Sequence, residues 1–595
     1  MPTTTETTIL RGGEWLIQPS EADSVFTPER LTEEHRLIGR TAQEFVDNEV
    51  LPKLDQLETK DWALAREMVR VGAGLGLLGV DVPEAYGGLG LDKVTSLVVS
   101  ERLARAASFG ATFGAHANLT IVPLVLFGSE AQKQQYLPRL LSGEIIGAYG
   151  LSETGSGSDA LGARTKATRQ PDGSFLLNGE KMWITNGGFA DLFVIFCKVD
   201  GDQFTALLVE RDWGVKSGKE EHKMGLHGSS TTALIFQDVK VPAENVLSEV
   251  GKGHKVAFNV LNFARFKLGA MCGGGAIGAI AESAKYAASR RQFGQAIASF
   301  GAIKHKIGEM VVRTYAVESL LYRTAGLVDA RIAATPHEAT DGSAALAAFE
   351  EYAVEASIAK VAGSESLNYV LDENIQIHGG NGYVHDYPAE RHFRDARVNR
   401  IFEGTNEINR LLIPGMLIRR ALKGDLPLIP AAKALQDELL GPPSMSGSIG
   451  DDGVLAGELR AIGSFKKTAL MVFGLAMQTF GSKLSDEQEV LMHLADISID
   501  VFSAECAALR AQAASASNAS RASLHVDAAR VFVNDAALRI DASARQALAA
   551  TVEGDTLRTM LAALRRLLKV TPINTVAARR RLADATVDRG GYPFA

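Results

Sequence analysis

The chain has 595 residues, of which 46% are hydrophobic and 22% are charged, and its formal net charge is −8. These fractions are ordinary for soluble folded domains, and the acidic balance argues against a nucleic-acid partner. The length suggests several domains of roughly 150 residues each. The cysteines, Cys197, Cys272 and Cys506, lie far apart in apolar or helical surroundings. We therefore expect buried free thiols, and neither a disulfide framework nor a metal site.

The N-terminal part of the chain, residues 1–147, is predicted to be an all-α domain, because apolar residues recur at helical spacing from position 28 to position 141. Residues 1–33 lack the basic, apolar and small-residue blocks of a signal peptide, which predicts a cytoplasmic protein. The longest apolar runs, residues 268–281 and 468–477, are shorter than the roughly 20 residues that span a bilayer. No membrane-spanning segment is therefore predicted.

Residues 148–255 are predicted to form a compact β domain, as a barrel or a sandwich. Short runs rich in β-branched and aromatic residues alternate there with Gly, Asp and Asn turns. The predicted strands include residues 175–177, 192–196, 204–209 and 233–236.

Helical periodicity returns in the second half of the chain. Residues 256–422 fit a bundle of four or more helices. The turn-rich composition of residues 423–453 predicts a linker and an exposed loop, and residues 454–595 are predicted to form an additional helical domain. The fold class is therefore α+β and mainly α.

The segment Arg-Ile-Phe-Glu-Gly-Thr-Asn-Glu-Ile at residues 400–408 contains the strongest candidate for a catalytic group. The Ile-Phe pair before Glu403 would desolvate its carboxylate and raise the pKa toward the range useful to a general base near neutral pH. Thr405 or Asn406 could cap the following helix and leave free N–H groups beside the carboxylate. The alternative is a solvated glutamate in a turn.

Motifs in register along the chain resemble those of the acyl-CoA dehydrogenases. They are Tyr-Gly-Leu-Ser-Glu-Thr-Gly-Ser-Gly-Ser-Asp at 149–159, Asn-Gly-Glu-Lys-Met-Trp-Ile-Thr-Asn-Gly-Gly at 178–188, Arg-Arg-Gln-Phe-Gly at 290–294, Gln-Ile-His-Gly-Gly-Asn-Gly at 376–382, and the segment at 400–408. The additional C-terminal region is similar to that of the very-long-chain branch of the family.

This resemblance implies a flavin-dependent enzyme of fatty acid β-oxidation. It implies that FAD takes hydride from an acyl-CoA, that trans-2-enoyl-CoA is the product, and that an electron-transfer flavoprotein receives the electrons. No amino-acid side chain accepts hydride, so such a reaction needs a redox cofactor. Glu403 is implied to be the base for the α-proton, and its N–H is implied to polarise the thioester carbonyl together with a flavin ribityl hydroxyl.

The resemblance also implies contacts to the flavin ring and the substrate. Ser152 and Thr185 match hydroxyls at the flavin edge, and Trp183 matches an aromatic residue against the ring. Tyr149 and Ser158 match positions at the acyl-CoA entrance. Without the motif, Trp183 would be interpreted as a strand residue that fills the β core.

The resemblance places the rest of FAD between two subunits. Arg290 and Phe293 match residues that hold the pyrophosphate and adenine, Thr405 matches a further FAD contact, and Gln376 with the pair Gly379 and Gly380 matches a loop that reaches the FAD of a neighbouring subunit. Such a shared site implies a homodimer. The alternatives are a solvated helix face at Arg290 and a helix C-cap at the glycine pair.

Substrate contacts are implied at two further places. Arg265 matches an arginine near the CoA moiety, although Asn262 stands where some family members have an acid. Ala111, Gly114 and Ala115 provide little volume at the predicted floor of the acyl pocket, which favours a long acyl chain. A closely packed helix crossing would explain the same small residues.

The C-terminal region offers a candidate membrane contact. Leucines and Met560 between residues 557 and 568 form one helical face with basic residues opposite, which fits either a membrane surface or an ordinary packed helix. The resemblance attributes membrane contact instead to a stretch that corresponds to residues 431–453. We consider peripheral contact with the inner face of the membrane on this basis.

Two other functions fit parts of the pattern. An acyl-CoA oxidase would use the same scaffold and let the reduced flavin react with oxygen. A catalytically vestigial assembly scaffold would use the C-terminal domain to bind partners.

Overall fold

The computed structural model describes residues 9–336, 342–440, 453–517, 519 and 521–595. The first part of the chain is helical, as predicted. Its helices are α1 (Glu33–Phe45), α2 (Leu54–Glu58), α3 (Trp62–Gly74), α4 (Lys93–Leu103), α5 (Ala107–His116), α6 (Val122–Phe127) and α7 (Glu130–Leu141). Side chains of Thr32 and Ser129 close capping boxes at the starts of α1 and α7. π-helical turns follow α1 at Val46–Val50 and α5 at Ala117–Ile121.

The middle domain is built on an eight-stranded sheet. The strands are β1 (Gly147–Gly150), β2 (Lys166–Arg169), β3 (Phe175–Thr185), β4 (Leu192–Val199), β5 (Gln203–Glu210), β6 (Lys216–Glu220), β7 (Thr231–Val241) and β8 (Val246–Leu247). They run in the order β6-β7-β3-β2-β4-β5-β8, and β1 pairs in parallel with β4. Every predicted strand lies within one of these elements. The short strands β1, β2, β6 and β8 were missed, since they carry too few apolar residues for a periodic signal.

The helical bundle begins with α8 (Gly253–Ser289) and a hairpin of β9 (Arg291–Gln292) and β10 (Gln295–Ala296). Its other helices are α9 (Gly301–Ala334), α10 (Ser343–Glu351), α11 (Ala353–His378), α12 (Ala389–Ala396) and α13 (Asn406–Lys423). The long helices α8, α9 and α11 pack on one another. The predicted helical bundle is confirmed.

The additional domain contains α14 (Leu428–Leu440), α15 (Ala456–Phe480), α16 (Gln488–Ala516), α17 (Ala522–Thr551), α18 (Gly554–Leu567) and α19 (Thr575–Arg589). The predicted linker 423–453 is wrong over α14, because Leu428 and Leu435 are buried in the core shared by the bundle and this domain. The exposed loop predicted for the rest of that stretch lies largely outside the described residues.

The N-terminal segment 9–31 does not belong with the N-terminal helices. Trp15 is buried, donates from Nε1 to Glu355 Oε1 at 2.7 Å and packs on Phe502 with ring centroids 4.7 Å apart. This segment therefore joins the bundle to the additional domain, and the predicted boundary of a domain 1–147 is wrong at its start.

Two apolar segments are packed inside the fold. The apolar face of α18 lies against the core of the additional domain, and Leu564 is fully buried there. By length and composition alone, residues 93–127 could cross a membrane, but 67% of the most apolar window is buried as in a core helix. Cys197, Cys272 and Cys506 are buried free thiols, as expected.

Candidate active site

Glu403 occupies an unusual backbone conformation at the end of a turn. Its φ is 57°, and Gly404 follows with a φ of 79°. A side-chain-bearing residue rarely adopts this left-handed region, and such strain is concentrated at functional sites. Thr405 then caps α13, because its Oγ1 accepts a hydrogen bond from Ile408 N at 3.2 Å. The cap is therefore Thr405 and not Asn406, which is the first residue of α13.

Buried side chains hold the carbonyl groups of this turn. Arg265 Nε donates to Glu403 O at 3.2 Å, and Lys360 Nζ donates to Gly404 O at 2.7 Å. Asn409 Nδ2 also donates to Gly404 O, at 2.9 Å. The sequence patterns indicated neither Lys360 nor Asn409, since an isolated Lys or Asn on a long helix has no distinguishing spacing. Together these donors fix the orientation of Glu403.

The Glu403 carboxylate is poorly solvated. Oε2 is buried and has no hydrogen-bond partner among the described residues. Burial raises the pKa of Glu403 to about 7, although Arg265 and Lys360 favour the charged form. The expected shift is therefore found, but Ile401 does not cause it, because that side chain is 53% exposed. Phe402 does line the cavity beside Glu403.

Glu403 opens into a cavity of about 410 Å³. The cavity is lined by α5 on one side, by α8 on another and by α12 on a third. Ala111, Gly114 and Ala115 are all among its lining residues, so their small side chains do contribute volume to the cavity that Glu403 also lines. Thr185, from the end of β3, also lines it.

Hydrogen bonds fix α5 against the β domain. His116 accepts from Gly147 N at 2.9 Å, and its other ring nitrogen lies 2.9 Å from Leu140 O. Asn186 Nδ2 donates to Thr112 O at 2.9 Å. The buried imidazole has a pKa lowered to about 4 by desolvation, so it stays neutral. The cavity wall is thus tied to the strand that carries Thr185.

Trp183 lies on an irregular part of β3. Its φ is 59°, within a register shift between Lys181 and Ile184, and its side chain is 58% exposed. The interpretation as a filler of the β core is therefore wrong. Met182 N donates to Ser152 O at 2.9 Å, which brings the loop of the first motif beside the second. An exposed indole next to hydroxyl-bearing residues suits a flat ring with a heteroatom edge.

Tyr149 lies on β1 near Glu403. Its hydroxyl is buried without a hydrogen-bond partner among the described residues, and burial together with Glu403 raises its pKa well above the ordinary value.

Two residues predicted to contact the substrate, Ser158 and Arg265, lie outside the cavity lining. Ser158 is exposed. Arg265 contacts the turn of Glu403 instead. Arg265 Nη1 donates to Asn262 Oδ1 at 3.1 Å, so Asn262 takes part in holding the arginine.

A second group of predicted residues lies at the C-terminal ends of α8 and α11, away from the cavity lining. Tyr286 and His378 stack there with ring centroids 4.1 Å apart and join these two ends. Phe293, in the hairpin, is 93% exposed. The remaining members, all exposed or in open space, are Arg290, Gln376, Gly379 and Gly380. The structure therefore brings the residues assigned to a shared FAD site together on one open surface.

Comparison with known proteins gives a consistent assignment for each region. Family models described as the N-terminal, middle and C-terminal domains of acyl-CoA dehydrogenase match residues 32–144, 148–239 and 251–417, and a further acyl-CoA dehydrogenase C-terminal model matches residues 464–566. These matches coincide with the helical, β, bundle and additional units of the structure.

Relatives and a solved structure match this chain over most or all of its length. A probable acyl-CoA dehydrogenase of Bacillus subtilis (strain 168) is 47% identical over 589 residues, which cover 98% of each chain. The crystal structure of an acyl-CoA dehydrogenase complexed with FAD from Bacillus anthracis is 46% identical, with a TM-score of 0.96 over 98% of this chain and 100% of that one. The human mitochondrial very long-chain specific acyl-CoA dehydrogenase is 39% identical over 388 residues, 63% of this chain and 56% of that protein.

Proposed function

Because this chain belongs to the acyl-CoA dehydrogenase family and is an FAD-dependent oxidoreductase, we propose that it converts long-chain acyl-CoA to trans-2-enoyl-CoA in fatty acid β-oxidation. We propose an electron-transfer flavoprotein as the electron acceptor. The observation that carries the proposal is the desolvated Glu403 carboxylate in the lining of a cavity that small residues widen.

In this proposal Glu403 removes the α-proton of the thioester. A general base works best when its pKa lies near the pH of the reaction, and the pKa of Glu403, about 7, lies near neutral pH. The same pKa lets Glu403 keep the proton that it removes. The N–H of Glu403 makes no hydrogen bond with the described residues and is available to a thioester carbonyl. Arg265 and Lys360 hold the turn that carries both groups. When bound, FAD would supply the acceptor that takes the β-hydrogen as hydride.

The residues at this site fit FAD. Trp183, Ser152 and Thr185 would hold the flavin ring, and Thr405 lies at the cap beside Glu403. We propose that Arg290, Phe293, Gln376, Gly379 and Gly380 hold the distal half of FAD in a homodimer. Their exposure in the single chain supports this, since Phe293 is an apolar ring without cover.

The preference for long chains is supported by the shape of the cavity. Ala111, Gly114 and Ala115 lie on the α5 face that lines it, and Gly275 and Gly278 line it from α8. A Cβ added at Gly114 would meet only Asn118 Nδ2, at 3.5 Å, so the missing side chain leaves usable space. An acyl chain can therefore extend between α5 and α8.

An anaerobic titration with acyl-CoAs of graded length tests this proposal. We expect long-chain substrates to bleach the flavin absorbance at about 450 nm, through the hydride chemistry of the cofactor, and short-chain substrates to do so weakly. Admission of air should then restore the colour slowly, while an electron-transfer flavoprotein should restore it fast. Rapid peroxide formation would instead identify an oxidase, and a flavin that no acyl-CoA bleaches would identify a vestigial scaffold.

We propose a cytoplasmic enzyme that contacts the inner face of the membrane through a surface other than α18. The leucine face of that helix is packed against the core. Co-sedimentation of the purified protein with anionic vesicles tests this, and binding that is lost on changing exposed residues of α18 would contradict it.

A further inference from the structure

The additional domain reaches the helix that follows Glu403, but it does not line the acyl cavity. Helix α13 begins directly after the Glu403 turn, residues 403–405, and packs both on α11 of the bundle and on α16 of the additional domain. Among the residues that the structure describes, none after Glu403 lines the cavity. Any effect of the additional domain on Glu403 must therefore pass through the helices that lie between them.

Buried polar side chains connect the Glu403 turn to α11. Lys360 Nζ donates to Gly404 O and to Asn406 Oδ1, both at 2.7 Å. Asn406 Nδ2 in turn donates to Ser364 Oγ at 3.1 Å and to Glu365 Oε1 at 3.0 Å. Lys360, Ser364 and Asn406 are at most 1% exposed. Because these groups are buried, the loss of a bond would leave a polar group without a partner, which is costly.

Arg410 extends this connection to the additional domain. It lies four residues after Asn406 on α13, so the two side chains share one helical face. Arg410 Nη1 and Nη2 donate to the two carboxylate oxygens of Glu365, at 2.6 and 2.9 Å. Its Nε donates to Asp496 Oδ1, on α16, at 2.7 Å. Since the guanidinium is planar, these bonds fix it between a helix of the bundle and a helix of the additional domain.

Lys360 links this network to the chemistry of the base. Burial raises the pKa of Glu403 to about 7, and Arg265 and Lys360 oppose this shift by favouring the charged form. The same ammonium group of Lys360 holds Gly404 O, directly after Glu403 with its strained φ of 57°. A displacement of α13 would therefore change both the effect of Lys360 on the carboxylate and the direction of the Glu403 N–H.

We propose that Asp496 is a positioning residue through which the additional domain fixes the Glu403 turn. This inference rests on the proposed function, because it concerns the base of that reaction. Asp496 holds the guanidinium of Arg410, and Arg410 orients Glu365 toward Asn406. Lys360 then keeps its bonds to the first residue of α13 and to the turn. The additional domain thereby takes part in the reaction from outside the acyl cavity.

The test measures the pH dependence of hexadecanoyl-CoA oxidation by the FAD-loaded enzyme. In Asp496→Ala we expect kcat to fall about tenfold, the factor typical of one lost hydrogen bond to a charged group, with KM little changed. The acid limb of kcat/KM should move to higher pH, because Lys360 then favours the charged form of Glu403 less. A loss of stability alone would lower the amount of active enzyme without moving this limb. Asp496→Asn should recover part of kcat, since its amide oxygen still accepts from Arg410.

Asp500→Ala is the matched control. Asp500 lies one turn later on α16 and pairs with Arg539 of α17, inside the additional domain. This variant also breaks an ion pair of α16, but it should keep kcat and the acid limb. In an Arg410→Met background, Asp496→Ala should have no further effect, because the connection is already broken.

Asp496→Ser serves if the alanine variant does not fold. An Asp496 variant with the kcat and the acid limb of the Asp500→Ala control would overturn the inference. It would also be overturned if the loss caused by Asp496→Ala were the same with and without Arg410. No oxidation of hexadecanoyl-CoA by the wild type would instead overturn the proposed function.

Discussion

Arg265 Nε donates a hydrogen bond to the main-chain carbonyl of Glu403 over 3.2 Å, from a helix more than a hundred positions earlier in the chain. The contact places a guanidinium behind the carboxylate without a direct ion pair. Burial lowers the pKa of Arg265 to about 10, and Glu403 favours its charged form. The arginine therefore acts on the base both by position and by charge.

We predict that Arg265→Met shifts the acid limb of the pH profile of kcat/KM to higher pH. The positive charge of Arg265 lowers the pKa of Glu403, so its removal raises that pKa. The base is active when deprotonated, and a higher pKa then requires a higher pH. Arg265→Lys should restore part of the shift, because it keeps the charge but loses the bond to Asn262. An unchanged profile in Arg265→Met would show that the arginine acts only as a packing residue.

Glu403→Gln should retain FAD and lose dehydrogenation by several orders of magnitude, because an amide cannot take the α-proton. We also expect it to stabilise the fold at high pH. The folded pKa of about 7 lies above the ordinary 4.5, so the wild-type carboxyl costs no stability at pH well below 4.5, destabilises the fold increasingly between pH 4.5 and about 7, and adds no further cost above that. The gain should approach about 3 kcal/mol above pH 8 and vanish near pH 4.

Denaturant unfolding of the two proteins at both pH values measures this difference. Near-normal turnover of Glu403→Gln would remove Glu403 from the mechanism. A stability difference that is equal at pH 4 and pH 8 would show that the carboxylate is solvated in the folded protein.

Trp183→Ala should weaken FAD binding, because the exposed indole would lose its contact with the flavin ring. We expect a lower FAD content after gel filtration and brighter flavin fluorescence in the fraction that remains. Leu538→Ala is the control, since Leu538 is also an exposed apolar residue but lies on α17. Equal FAD content in both variants would argue against a role of Trp183 in the cofactor site.

Local sequence patterns predicted much of the fold because they reflect which residues of each segment are buried. The strands at 192–196 and 204–209 were found because their residues are buried on both faces. Such strands appear in the sequence as continuous apolar runs. The base at Glu403 was found because the turn, the cap and the apolar neighbour are all adjacent in sequence. Its pKa was expected to rise for a local reason, yet Ile401 is exposed and the burial comes from distant elements.

Contacts between distant segments could not be predicted in this way. Lys360 has ordinary neighbours in sequence, and its role depends on how α11 packs against the turn that carries Glu403. The N-terminal segment has no helical periodicity, so nothing indicated that Trp15 would reach Glu355. Helix α14 was interpreted as a linker because Gly and Pro flank it, although Leu428 and Leu435 provide a buried face.

The junction between the bundle and the additional domain depends on Arg510, which is fully buried. Its Nη1 donates to Glu318 Oε2 at 2.5 Å and its Nη2 donates to Glu29 Oε1 at 2.7 Å. Burial opposes the charge, but the two carboxylates outweigh it and raise the pKa of Arg510 well above the ordinary value. Tyr592, near the C-terminus, also donates to Glu318 Oε2, at 2.9 Å.

Arg510→Met should therefore destabilise the protein by about 3–5 kcal/mol, because it leaves a buried carboxylate without a counter-charge. The matched control is Arg558→Met, which breaks an ion pair with Asp555 at 2.7 Å in which both side chains are exposed. That change should cost less than about 1 kcal/mol. Urea unfolding measures both, and equal losses would show that Arg510 is paired no more strongly than a surface arginine. Since Glu29 belongs to the N-terminal segment, Arg510→Met should also make that segment more accessible to proteases, whereas Arg558→Met should not.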